Sequence, residues 1–217
     1  MKKLLQPLLF SAVLLSSCTG FDLDLKGSST LGGNTDLPIN TVGNTLNPIG
    51  VAVDGNYVNI DPSVVITNSV DGVNTIEVKV DLGADPALAS INELIPDELK
   101  DSQGKVSFET KVKITSEGWL DYSNVDKEPV VLVKYNCSVG DKYSVTTSSG
   151  TKIVREVISK STTDDYEYGF YNIKVIKVEQ KTTFPGISKY VGYFNHKFGL
   201  VGIELITDDG SVLSMNI

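Results

Sequence analysis

Residues 106–115, with the sequence VSFETKVKIT, alternate apolar and polar side chains along most of their length. Successive side chains of an extended chain point to opposite faces, so Val106, Val112 and Ile114 share one face and the charged residues share the other. One packed face and one hydrated face are typical of an antiparallel sheet. A chain that contains this strand must therefore build a sheet with its core on one side.

Similar β-rich runs recur from about residue 51 to the end of the chain. The other predicted strands have the sequences VVITNSV, NTIEVKVDL, EPVVLVKYNCSV, DKYSVTT, TKIVREVIS, YNIKVIKVEQKTT, SKYVGYF, GLVGIELIT and SVLSMNI. Short links, such as the Asp71-Gly72 pair and residues 148–150 and 207–210, indicate that neighbouring strands pair as a meander. One short helix is predicted at about residues 86–95, because Asp85 is a good N-cap and Pro96 stops it. The predicted fold class is mainly β, a large curved antiparallel meander sheet with one short helix.

The first 17 residues have the features of a secretory signal peptide. Two lysines precede an apolar run of about 12 residues, which is too short to cross a bilayer as a helix. The sequence LSSC that ends at Cys18 resembles a lipobox. This resemblance implies cleavage before Cys18, acylation of that residue with chains such as palmitate, and stable anchoring to a membrane.

The remaining chain divides into two parts. Residues 18–50 are rich in Gly, Asn, Thr, Ser and Pro without a sustained period, which predicts a lipidated cysteine followed by a flexible tether. Such a tether spans roughly 30 Å. Residues 51–217 are predicted to form a single β-rich domain, which is long enough to bury a sizeable core.

The charge balance excludes several partners and groups. The net charge is −8, and it becomes −10 when Lys2 and Lys3 leave with the signal peptide. An acidic protein lacks the basic footprint that nucleic acid or anionic lipid requires. Arg155 is the only arginine, so at most one side chain suits bidentate binding of phosphate or carboxylate. His196 is the only histidine, so no His-rich metal site is available. We predict no metal and no cofactor.

Cys18 is assigned to the lipid, which leaves Cys137 as a lone cysteine. Alternation along VLVKYNCSV places Cys137 on the apolar face of a strand together with Tyr135 and Val139. Free cysteine on such a face behaves as a small apolar residue, so we expect Cys137 to be buried and inert.

The stretch DDYEYGFY supplies the candidate ligand-binding residues. Tyr166, Tyr168 and Phe170 share one face if the stretch is extended, and Trp119 and Tyr122 could join them. Aromatic side chains beside carboxylates bind carbohydrates, and aromatic clusters also mark protein interfaces. The alternative is that these rings cover one edge of the sheet core.

The same stretch contains the best candidates for acid–base or ion chemistry. Asp164, Asp165 and Glu167 could bind calcium through oxygens or act as paired carboxylates, as in glycosidases. No calcium-loop motif is present, and acidic pairs are common in the turns of an acidic protein. We therefore predict no catalytic residues and no enzymatic activity.

Over about residues 100–217 the chain resembles uncharacterised lipoproteins of Bacteroidota. The segments that carry the resemblance are VLVKYNCSVGDKYSV, REVISKSTTDDYEYGFYNIKVIKVEQ and NHKFGLVGIELITDDGS. The resemblance implies a curved antiparallel sheet, and it brings no catalytic residues.

The sequence therefore predicts a lipid-anchored protein of the cell envelope that acts as a non-catalytic binding module. The alternative is a periplasmic carrier or chaperone that shelters an apolar ligand in the curved sheet, and a carbohydrate-active hydrolase ranks third. A carrier requires apolar side chains that surround unfilled space, whereas a binding module requires exposed aromatics and a hydrolase requires carboxylates in a cleft.

Because Thr19 rather than aspartate follows Cys18, we expect the protein to be anchored in the outer membrane, on its periplasmic face. The alternative is display on the cell surface, because the acidic residues Asp22 and Asp24 follow Cys18 closely.

Overall fold

The computed structural model describes residues 30–182 and 184–217, which form two antiparallel sheets that face each other. The small sheet contains, in order, β3 (Ser63–Val70), β4 (Val73–Val80), β5 (Val106–Thr115), β6 (Gly118–Asp121) and β7 (Val130–Lys134). The large sheet contains, from edge to edge, β2 (Asn56–Tyr57), β1 (Gly50–Val53), β15 (Val212–Asn216), β14 (Gly199–Thr207), β13 (Ile187–Asn195), β12 (Ile176–Lys181), β9 (Lys152–Lys160) and β8 (Lys142–Thr146). The prediction of a mainly β protein with a large antiparallel sheet is confirmed.

The meander order follows from the short turns between strands. Asp71 and Gly72 both have positive φ and join β3 to β4, as the sequence predicted. From β3 to β7 every strand pairs with the next one along the chain. In the large sheet, the strands from β8 to β15 also follow one another in chain order, apart from the inserted hairpin. β1 then joins this sheet by pairing with β15 through Gly50 to Val53.

The predicted helix forms at the expected place. A 3₁₀ turn at Pro86–Leu88 leads into α1 (Ala89–Leu94), and the Asp85 carboxylate accepts a hydrogen bond from the Ala87 N–H. Further 3₁₀ turns at Leu82–Ala84 and Asp97–Leu99 flank it. Leu88 and Ile91 are buried, so α1 covers one end of the space between the sheets.

A two-stranded hairpin is inserted between β9 and β12. It consists of β10 (Tyr166–Tyr168) and β11 (Tyr171–Ile173), with Gly169 at φ 61° in the turn. The stretch DDYEYGFY is therefore not extended throughout. It reverses direction at Gly169, so Phe170 lies at the tip of the hairpin instead of continuing the face of Tyr166 and Tyr168.

Residues 30–50 belong to the folded domain, in contrast to the flexible tether expected from their composition. Leu31, Leu37 and Ile39 pack against the main core, and the side chain of Asn40 donates to the carbonyl of Ile114. The Leu46 N–H then donates to the Val64 carbonyl at the edge of β3. The tether prediction thus does not hold for residues 30–50, and residues 1–29, which include the predicted signal peptide and Cys18, lie outside the described part of the chain.

Cys137 is buried, as expected, but not as part of a strand. β7 ends at Lys134, and the Cys137 N–H donates to the Lys134 carbonyl in a turn. Val139, which the alternation placed on the same face, is exposed, because the turn breaks the period. Burial raises the pKa of the Cys137 thiol, which keeps it protonated and inert.

The core lies between the inner faces of the two sheets, and one of its sides is closed by an ion pair. Arg155 on β9 reaches across to Asp121 on β6, with 2.6 Å between Nη2 and Oδ2, and each side chain is only 1% exposed. The Arg155 guanidinium also donates to Gln180 in the large sheet and to the carbonyls of Val130 and Val131 in the small sheet. This network holds β7 against β9.

Candidate functional site

An apolar cavity of about 180 Å³ lies between the two sheets. Its walls come from both sheets and from α1. Representative lining residues are Val78, Val112 and Leu132 in the small sheet, Ile203 and Leu213 in the large sheet, and Ile91 and Leu94 in α1. The inward faces that the sequence alternation predicted therefore surround space that they do not fill.

Three lining residues carry polar side-chain atoms, and none of them is charged. The Thr110 hydroxyl is hydrogen-bonded to Ser123, and the Trp119 Nε1–H donates to the Tyr135 hydroxyl. Burial raises the pKa of Tyr190, which keeps its phenol neutral. The lining consequently offers apolar contact and no charged side chain to a ligand.

The cavity is long and narrow. On β13 its lining runs from Ile187 to Phe194, which at the rise of a strand corresponds to roughly 23 Å. A volume of about 180 Å³ along such a length leaves room for a slender occupant.

One end of the cavity, called here the Trp119 end, is closed by residues 31–40. The rings of Trp119 and Phe194 meet edge to face with centroids 5.9 Å apart. A Cβ atom at Gly199 would lie 2.7 Å from the Trp119 ring and 2.9 Å from Ile39, so only glycine allows this approach. Hydrogen bonds from Asn40 to Ile114 and from Asn74 to Asn40 hold the closing segment in place.

The opposite end, called here the α1 end, is covered by the segment from residue 82 to residue 99. Leu94 of α1 packs against Gly186, where a Cβ atom would clash with the leucine side chain. Gly186 directly precedes the first residue of β13. The α1 end and the Trp119 end are thus separated by most of the length of β13.

The aromatic residues singled out in the sequence divide between two faces of the large sheet. Tyr166 stacks on Tyr193 at 5.1 Å and Tyr168 on Phe198 at 5.2 Å, on the outer face. The Tyr166 hydroxyl donates to Asn216 and the Tyr193 hydroxyl to Glu204. These rings cover the outside of the sheet, which is close to the structural alternative considered for them.

The other candidates do not join that cluster. Trp119 is 2% exposed and lines the inner cavity, and Tyr122 is half-buried against the main core. Phe170 is fully exposed at the tip of the hairpin, next to the half-exposed Tyr171. The expected binding platform of five aromatic residues therefore does not form.

The carboxylates of DDYEYGFY do not gather into a site. Asp165 accepts a hydrogen bond from Ser161, and no group of three or more His, Cys, Asp or Glu side chains suited to a metal ion occurs in residues 30–182 and 184–217. His196 is exposed in the turn between β13 and β14. Within the same residues, no helix is both long and apolar enough to cross a bilayer.

The sequence left a ligand-sheltering carrier open as an alternative, but it could not show whether a cavity forms. The period of two indicated the inner face for most strand side chains, but it carries no information on how far apart two facing sheets lie. Comparison of the chain with protein-family models, curated proteins and solved structures finds no match.

Proposed function

We propose that the protein is a lipid-anchored envelope protein that binds an apolar ligand in the cavity between its two sheets. The observation that carries the proposal is the cavity of about 180 Å³, whose lining contains no charged side chain. This is the feature that distinguishes a carrier from a module that binds through exposed aromatics. The proposal therefore favours the carrier over a carbohydrate-binding surface.

The physical chemistry of such a cavity supports a ligand rather than water. An apolar cavity of about 150 Å³ in another protein stays dry and takes up benzene, because water finds no hydrogen-bond partners there. Each methylene group transferred from water into such a place contributes about 0.8 kcal/mol. A hydrocarbon is thus the ligand class that gains most from this site.

We expect purified protein to bind trans-parinaric acid, a linear fluorescent fatty acid, with one molecule per chain. The chain from residue 18 onward with Cys18→Ala, prepared without detergent, avoids competition from the anchor or from micelles. Fluorescence titration measures the stoichiometry and the Kd. Absence of saturable binding would remove the basis of the carrier proposal.

The anchor is a second part of the proposal, supported by the lipobox resemblance at Cys18 and by the resemblance to Bacteroidota lipoproteins. We expect the full-length protein to be labelled by a palmitate analogue in bacterial cells and to fractionate with the outer membrane. Cys18→Ala should abolish the label and leave the signal peptide uncleaved, whereas Cys137→Ala should change neither. Labelling of the Cys18→Ala variant would show that Cys18 is not the lipidated residue.

A further inference from the structure

We infer that the ligand is a single linear hydrocarbon chain, which enters tail first at the α1 end and places its terminal methyl group beside Trp119. This inference rests on the proposed function and adds the class and the orientation of the ligand. Three features of the cavity carry it: its shape, the difference between its two ends, and the distribution of its polar atoms.

The shape selects a slender ligand. The lining extends for roughly 23 Å along β13, yet the volume is close to that of cavities that hold a single benzene ring. Spread over this length, the volume favours one slender ligand over a fused-ring sterol or two chains side by side. One linear chain matches it.

The two ends differ in how firmly they are closed. At the Trp119 end, backbone and side-chain hydrogen bonds join residues 31–40 to both β4 and β5, including Asn40 to Ile114 and Ser116 to Asn34. Closure of that end is part of the sheet structure. A ligand could pass through the Trp119 end only if these hydrogen bonds were broken.

At the α1 end the covering segment is held mainly by apolar contacts of Leu88, Ile91, Ile95 and Leu99. Its polar connections include the Asn59 N–H, which donates to Asp85. The buried Asn92 Oδ1 has no hydrogen-bond partner within the described residues, which weakens the closed position of α1. Segments of this kind open locally at lower free energy than the sheets beneath them.

The polar atoms of the lining set the orientation. Of the polar lining residues, Trp119 lies at the end opposite α1, and both Thr110 and Trp119 are already hydrogen-bonded within the protein. A charged or hydrated head group inside the cavity would stay unpaired, which strongly disfavours its burial. The head group therefore remains in solvent at the α1 end, and the methyl end lies deepest.

Trp119 is the only tryptophan of the chain, so it reports directly on the buried end. Bromine quenches tryptophan fluorescence on contact. We expect 12-bromododecanoic acid, brominated at the tail, to remove at least half of the Trp119 emission at saturation, and 2-bromododecanoic acid, brominated beside the head group, to remove far less. In a Trp119→Phe/Leu94→Trp variant, which moves the tryptophan to the α1 end, the order of the two quenchers should reverse.

Two further readouts test the class of ligand. Affinity for n-alkanoic acids should rise about fourfold per added methylene until the slot is full and then level off. Cholesterol should fail to displace trans-parinaric acid at concentrations where dodecanoic acid does.

The outcomes separate the two proposals. If no fatty acid binds, the proposed function fails. If both brominated acids bind but the 2-bromo compound quenches Trp119 more, the tail-first orientation is overturned while binding in the cavity stands. If cholesterol competes as well as dodecanoic acid, the restriction to a linear chain is overturned.

Discussion

Replacement of Arg155 by methionine is expected to lower the free energy of unfolding by about 3–5 kcal/mol. Arg155 and Asp121 are both buried, so the variant leaves the Asp121 carboxylate without a counter-charge inside the protein. The carbonyls of Val130 and Val131 and the side chain of Gln180 also lose a donor. Urea unfolding measures the change directly, and the thermal midpoint should fall by roughly 6–20 °C for a domain of this size.

Two variants show whether the loss comes from the unpaired buried charge. Arg155→Met combined with Asp121→Leu removes both charges and should recover part of the stability. Lys142→Met breaks the exposed pair with Glu156 on the same sheet, and its effect should stay below about 1 kcal/mol. If Arg155→Met costs no more than Lys142→Met, the two sheets are not held together by this network.

Replacement of Val78 by phenylalanine is expected to weaken the binding of trans-parinaric acid at least tenfold. Val78 lies on β4 and lines the cavity, so the larger ring occupies space that the ligand needs. Filling an apolar cavity usually leaves stability unchanged or raises it slightly. Loss of binding with an unchanged or higher thermal midpoint would separate a blocked site from a damaged fold.

Val154 offers the matched control. It lies on β9, is half-buried, and is not among the residues that line the cavity. Val154→Phe makes the same chemical change and should leave the Kd for trans-parinaric acid within about twofold of the unmodified protein. Equal losses of affinity in both variants would place the ligand somewhere other than the cavity.

Much of the fold was accessible from local sequence patterns. The alternation in residues 106–115 predicted β5 with its bounds, and the Asp71-Gly72 pair predicted the turn between β3 and β4. The helix followed from Asp85 and Pro96, which act within a few residues of it. These features depend on backbone geometry and on side chains close in sequence, and for that reason a single sequence reveals them.

The features that failed depend on contacts between distant residues. Residues 30–50 have the composition of a loop, yet Asn40 bonds to Ile114 across 74 positions and fixes the segment to the sheet. Arg155 was recognised only as the single arginine, and nothing near it in the sequence points to its buried partner Asp121, which is 34 positions away. Trp119 was grouped with Tyr166 because both are aromatic, although they lie on opposite faces of the large sheet. No local period encodes these pairings.

The central claim, that a hydrocarbon chain occupies the space between the sheets, is tested most directly by nuclear Overhauser effects between ligand and protein. Protein with ¹³C-labelled methyl groups is mixed with dodecanoic acid. Cross-peaks from the methylene protons of the chain are expected at the methyl groups of Ile76, Leu132 and Ile203, which line the cavity from both sheets. Cross-peaks confined to the outer face, for example at Val191 beneath the β10–β11 hairpin, would contradict the claim.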